Sequence, residues 1–404
     1  MATPIFICGA ECGQDSFINS TVAHWTAPVG SGTLSISTTT KRTGARAFRL
    51  QASANTIFFQ QSIGVTSKAV ARVAIRFATL PGATTIVARF QNSQGDLSIQ
   101  YNPATGKLEA IVGAGAVIAG PSIVANTWYV LDLYGNVDDG TTYLDWQVDG
   151  AAQTQASNVQ ASSNLNSLDV GIITSNTADM FVDDVVISVT AADYPLGLGG
   201  VVGFSPNSDG THSFVAGNFK YNNSAAIAAT AADVYSYVDE KPLSSTADYI
   251  TQAVANSVGY VEMGLEDTQI ISLIQGVAPV FTVNRASTAF ADSYARIYEG
   301  GSLSNAIQMD TNYPASSLAY SDSVFATAPS GGAWTQAKLN SARIRFGYSP
   351  LSGLPNLQGV ILEVAFAGTV QTIKGAGYLW VETTDLHYID ASNQERVITG
   401  ATTL

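Results

Sequence analysis

Positive charge is scarce in this sequence. Of 404 residues only 18 are Lys or Arg, against 31 Asp or Glu, leaving a formal net charge of −13. A protein that tracks a phosphate backbone needs a cationic face, so no nucleic-acid partner is expected. Charge of either sign is thin: 12% of residues, about half the ~25% usual in soluble domains. Long apolar runs are also missing. None reaches the ~18 residues that a membrane-spanning helix needs, so no membrane insertion is expected. The opening Met1-Ala2-Thr3-Pro4-Ile5 lacks the basic region and apolar core of a secretory leader. The expectation is a soluble, acidic chain that does not leave the cell by the general secretory route.

Cysteine is limited to Cys8 and Cys12. A zinc site would need more ligands, and His24 is the only candidate nearby. Redox pairs carry two intervening residues rather than three. Residues four apart on a strand lie ~13 Å from each other, too far for a disulfide unless a tight turn closes the gap. The pair reads as two reduced, partly buried thiols. Nothing here suggests a disulfide-stapled scaffold.

The groups that carry catalysis are equally sparse. Only His24, His212 and His387 are present, and there is no Gly-x-Ser-x-Gly turn to expose a nucleophilic serine. No phosphate-cradling glycine motif follows a strand. A jelly-roll glycosidase would place two carboxylates across a cleft, commonly as Glu-x-Asp-x-x-Glu. That string is absent: Glu262 is separate from Glu266-Asp267, and Glu363 stands among apolar residues. No enzyme is expected.

What the sequence has in quantity is strand pattern. Thr33–Ser37, Ala45–Gln51, Thr56–Ile63, Ala69–Ala78, Thr84–Phe90, Asp96–Tyr101 and Lys107–Val112 are short and rich in β-branched and aromatic residues. Trp128–Tyr134, Tyr143–Val148, Leu168–Ile173 and Met180–Val189 continue the series. Gly, Asn and Pro separate them, with Asp139-Gly140 and Asp149-Gly150 as hairpin signals. The pattern predicts an antiparallel β-sandwich over 1–192, in which Trp128 and Trp146 pack in strands. A Pro- and Gly-rich stretch, 193–212, reads as a linker. A second β-sandwich follows over 213–367, with a short helical turn at Trp334–Asn340; Ala-rich Ala225–Tyr235 is a weak helix candidate. The tail, 368–404, carries three short strands and is too small to bury a core alone. The expected fold class is therefore all-β: two tandem antiparallel β-sandwich (jelly-roll) domains and a β-rich tail.

Several of these segments carry a family resemblance. Phe6–Glu11, Thr43–Phe48, Asn126–Leu133, Val148–Gly150 and Phe181–Ser188 resemble, in order and spacing, a concanavalin A-like, laminin G-type jelly roll. Asp209–His212, Tyr237–Glu240 and Trp334–Asn340 resemble a module of tailed-bacteriophage virion proteins, and Leu386–Ala391 is similar to terminal segments of phage structural proteins. The resemblance implies a non-enzymatic structural component of a phage particle: a tail or fibre part, or a head decoration. Other virion subunits would be its partners, a homo-oligomer (a trimer) its state, and the virion, assembled in the host cytoplasm, its location. In related jelly rolls the first and last strands lie side by side and share a cation between acidic residues. Glu11 and Asp184 occupy those places, so calcium is the implied cofactor; Asp183 is adjacent. Asp138-Asp139 near Asp145 is a lesser acidic cluster. Trp25, beside a loop, is the candidate exposed ring for stacking on a host-surface glycan. The alternative function is a carbohydrate-binding or carbohydrate-cleaving protein that shares the jelly-roll fold.

Overall fold

The computed structural model describes residues 3–11, 26–138, 140–159, 163–222, 225–228, 230–239, 248–254, 259–267, 273–285, 293–309, 323–347, 355–368, 379–382, 385–389 and 395–398. In chain order the first half carries β1 (Pro4–Cys8), β2 (Thr26–Gly30), β3 (Thr33–Ser37), β4 (Ala47–Thr66), β5 (Lys68–Thr79), β6 (Thr85–Asn92) and β7 (Leu97–Asn102). There follow β8 (Lys107–Val112), β9 (Ile118–Ser122), β10 (Trp128–Asn136), β11 (Thr141–Val148), β12 (Ala151–Ala152), β13 (Ala156–Val159) and β14 (Leu165–Ser188). All belong to one antiparallel sheet. It curls into a sandwich because two strands are long enough to serve both layers.

Those strands are β4 and β14, of 20 and 24 residues. The sequence predicts each as two separate strands. The chain instead runs straight through the polar breaks and bends there. Their pairing runs from Leu165↔Thr66 to Val182↔Phe48, with shifts of register between Ile172 and Ala178. Ala54 and Gly171 take positive φ at the bend. One layer holds β3, the first part of β4, the last part of β14, β5, β10 and β11. The other holds β2, the rest of β4 and of β14, and β6 to β9. Phe48 and Phe59, from the two ends of β4, face each other across the core with ring centroids 4.8 Å apart. Phe77, Phe90, Leu131, Trp146 and Met180 are fully or almost fully buried with them, so the apolar drive closes the layers.

The second half has two six-stranded sheets. One contains β15 (Val201–Phe204), β17 (Phe219–Tyr221), β18 (Ala225–Ala226), β19 (Ile250–Gln252), β21 (Leu273–Arg285) and β26 (Pro355–Ala367). The other contains β16 (Pro206–Asp209), β20 (Tyr260–Leu265), β22 (Ser293–Glu299), β23 (Ser302–Leu303), β24 (Ile307–Met309) and β25 (Arg343–Gly347). Phe219, Phe281, Ile344, Phe346 and Val360 fill the space between them. The expected helical turn is α1 (Gln336–Ser341), capped by Thr335, whose hydroxyl accepts from the Lys338 N–H. Ala225–Tyr235 holds no α-helix: Ala225–Ala226 is strand, and Val234–Tyr237 is a 3₁₀ turn whose first N–H groups donate to Asp209. The tail forms a three-stranded sheet of β27 (Leu379–Glu382), β28 (Asp385–Ile389) and β29 (Glu395–Ile398).

The stretch expected as a linker is not one. Within 193–212, β15 pairs with β26 and β16 pairs with β20, so this segment starts both sheets of the second half. Leu196 and Val201 are buried with Ile7, Val70, Val186, Ala278 and Ala365 in a small apolar cluster drawn from both halves. Its glycines are there for close approach. A Cβ on Gly199 would collide with the Phe366 carbonyl oxygen.

Candidate functional site

The residues expected to hold calcium do lie at the junction of first and last strands. β1 pairs with β14 through Cys8↔Val185, which brings Glu11 and Asp184 to one end of the pair. Their oxygens face nitrogen donors there. Both oxygens of Glu11 accept from the Ala45 N–H at 3.0 Å. Asp184 accepts from the Val201 N–H at 2.6 Å, from the Thr43 hydroxyl and from the Arg42 guanidinium at 2.7 Å. Asp183 accepts from the Arg42 N–H at 2.9 Å. The turn at 42–46 thus supplies the positive partners that the resemblance assigned to a cation. Among the described residues no group of three or more His, Cys, Asp or Glu is placed to hold a metal. Glu11 and Asp184 are thus engaged by donors of the fold itself.

They belong to a buried polar seam between the two halves. Glu363 of β26 accepts from the Gly9 and Glu11 N–H groups at 3.3 and 3.2 Å. Arg72, wholly buried, donates to Gln275 at 3.0 Å and to the carbonyls of Phe366 and Gly200 at 2.9 and 3.1 Å. Asp132 accepts from the Leu196 and Gly197 N–H groups at 3.1 and 3.0 Å. Burial pushes the Glu11 carboxyl up to about 8, with Glu363 adding to the rise against the Ala45 N–H. Burial raises Glu363 to about 7 and Asp132 to about 6. Asp183 is raised well above the carboxylate range by burial and then by Asp184. Perturbed acids of this kind can mark active sites. Here every one is packed against backbone of the other half or of the adjoining turn, which is a structural use.

The remaining expected residues do not assemble a site. Asp138 pairs with Lys68 at 2.8 Å, and Asp145 accepts from Gln155 at 2.7 Å; Asp139 lies outside the described residues. Trp25, Cys12 and His24 also lie outside them. Cys8 is buried. His212 is buried and accepts the Glu262 N–H at Nδ1, 3.0 Å, which leaves Nε2 to carry the proton of the neutral ring.

A cleft on the outer face of the first layer has the features of a binding site. It encloses about 410 Å³ and is floored by one cross-strand row. In register from β3 to β10, the row reads Ser35, Arg49, Phe181, Arg76, Trp128, of which the first four line the cleft. Side chains alternate between faces of a strand. Phe48, Leu50, Met180, Val182, Ile75 and Phe77 therefore go into the core, and the row between them faces out. The guanidiniums of Arg49 and Arg76 lie 5.5 and 5.3 Å from the centroid of the Phe181 ring, within cation–π range. They cover it to 5% exposure. Hydroxyls of Ser35, Ser37 and Thr38–Thr40 rim the cleft, with Asn126 also lining it. Asn126 is fixed in the left-handed region at φ 66 and accepts from Arg76 at 2.9 Å.

Chemically, the cleft offers planar donors and hydroxyls, with little apolar surface exposed. Among the described residues no carboxylate lines it. Sequence reading missed it because the row depends on pairing across five strands. One signal was present: in Val73-Ala74-Ile75-Arg76-Phe77, alternation already sets Arg76 on the face opposite Ile75 and Phe77.

No protein-family model and no curated protein matches the sequence. Solved structures with partial likeness include a cellulose-induced protein, with 15% identity, TM-score 0.34, and 40% of this chain and 91% of that one covered. Domain 4 of an extracellular arabinanase from Geobacillus stearothermophilus, solved with arabinotriose, has 14% identity and TM-score 0.33, covering 47% and 96%. A sialidase has 10% identity and TM-score 0.34, covering 47% of this chain and 19% of its own. Each likeness covers less than half of this chain and, at these TM-scores, says nothing of what the cleft binds. The virion role implied by the sequence resemblance gains no support from them.

Proposed function

We propose that this chain is a saccharide-binding β-sandwich protein that does not cleave what it binds. One observation carries the reading: a solvent-facing cleft floored by two guanidiniums over a buried ring and rimmed by serine and threonine hydroxyls. Sugars present dense, directional hydroxyl groups on a partly apolar frame. A cleft lined by guanidinium N–H groups and hydroxyls offers matching donors and acceptors to such a ligand. Glycoside cleavage needs an acid and a second carboxylate ~5–10 Å apart across the bond, and among the described residues no carboxylate lines the cleft. Asp179, the nearest acid to Arg49, is occupied by it in a two-point ion pair of 3.0 and 2.5 Å.

The test is a glycan-array screen of the purified chain, followed by calorimetry on the hits and chromatography of each hit after overnight incubation. The expected result is binding in the micromolar-to-millimolar range with the ligand recovered intact. Binding to no saccharide would overturn the binding half of the reading. Shortened products, abolished by one Asp→Asn or Glu→Gln change, would overturn the other half.

A further inference from the structure

We infer that the saccharide taken by this cleft is anionic, and that Arg76 is the residue that selects it; the inference rests on the saccharide-binding reading above. The argument starts from charge balance within the cross-strand row. Arg49 and Arg76 flank the same ring, one on each neighbouring strand. With strands ~4.8 Å apart, their backbones are about 10 Å from each other, the span of one or two sugar rings. The two cations are not equivalent. Arg49 is neutralised by Asp179, which also accepts from Gln51 at 3.3 Å. Arg76 meets only a neutral oxygen, that of Asn126. Among the described residues no carboxylate pairs with it.

By contrast, Arg42, Arg89 and Arg345 each pair with an acid. Arg76 is half-buried beside Phe181, which strips part of its hydration and strengthens any charge-assisted hydrogen bond it makes. A guanidinium held at this position presents its remaining N–H groups as a fork, which matches a carboxylate by two parallel bonds. The hydroxyl rim of 35–40 would then meet the neutral hydroxyls of the same ring. Lysine at 76 would keep the charge but lose the fork.

The experiment uses calorimetry of the full chain with three probes: an oligogalacturonate, its methyl ester and a sulfated oligosaccharide of the same length. The acid should bind at least tenfold more tightly than its ester, and raising salt from 50 to 500 mM should weaken only the acid. Arg76→Ala should abolish the preference, and Arg76→Lys should keep part of it; equal melting temperatures would show both variants folded. If the sulfated probe shows the preference in place of the uronate, the inference stands with sulfate as the source of charge. Ester bound as tightly as acid, with Arg76→Ala unchanged, would overturn the inference and leave saccharide binding intact. Binding of none of the three, nor of any neutral glycan, would overturn the saccharide reading itself.

Discussion

Arg72 and Glu11 illustrate how single residues set the behaviour of this molecule. Arg72 sits wholly buried between Asp132 and Asp184, and burial lowers its own pKa to about 10, so it stays charged at neutral pH. Removing it takes a cation from beside Asp132 and Asp184 and leaves buried oxygens of Gln275 and Phe366 without that donor. Arg72→Ala should cost about 2–5 kcal/mol in urea unfolding, since each buried acceptor left unsatisfied costs ~1–3 kcal/mol; a loss below 1 kcal/mol would contradict this role. The acids of the seam predict a pH dependence. Glu11, Glu363 and Asp132 lie near 8, 7 and 6, and Asp183 is also raised. The folded state therefore holds more protons than the unfolded chain between about pH 4.5 and 8. Their contribution is fully present below that window and is lost as pH rises through it, a tenfold difference in proton affinity between the two states being worth ~1.4 kcal/mol. Melting temperature should fall from pH 5 to 8.5, and Glu11→Gln should flatten the fall; a rise over that range would contradict the assignment. Sequence reading found Glu11 and Asp184 but gave them a cation. Their partners in the fold, the N–H groups of 42–46 and of Val201 at the start of β15, come from 34 residues away and from inside the presumed linker.

At the scale of elements, strand positions were legible in the sequence and strand continuity was not. Alternation located β3, β5, β8 and β10 to within a residue or two. The interruptions at 52–55 and 174–179 look like turns because Asn, Ser, Thr and Ala cluster there. They are bends, since the pairing of β4 with β14 resumes on the far side. Local sequence cannot report that, because the continuity is enforced by partners over 100 residues away. Gly171 makes the bend possible. It holds φ 141, and a Cβ there would meet the Ile57 carbonyl oxygen at 2.6 Å. Gly171→Ala should destabilise the fold by more than the ~1 kcal/mol typical of point changes, read as a lower urea midpoint with an unchanged slope. A neutral effect would show that the bend does not need glycine. The cleft is legible in the same partial way: alternation sets Arg49 and Arg76 outward, while their meeting over Phe181 needs the register of three strands.

Across the whole molecule, the seam joins what the sequence divides. Val280 and Ile361 of the second half pack into the core of the first, and Arg72 reaches across to Gln275 and Phe366. The chain should therefore melt as one cooperative transition in calorimetry, and limited proteolysis should not release a stable 1–192 fragment. Two separate transitions would show the halves to be independent. A body fixed in this way presents the cleft at a constant attitude to the rest of the chain. The most direct test is a crystal structure of the chain with an oligosaccharide hit from the array. An intact ligand lying over Phe181, with one anionic group on the Arg76 guanidinium, is the predicted result. Ligand seated elsewhere on the molecule, or found cleaved beside a pair of carboxylates, would contradict it.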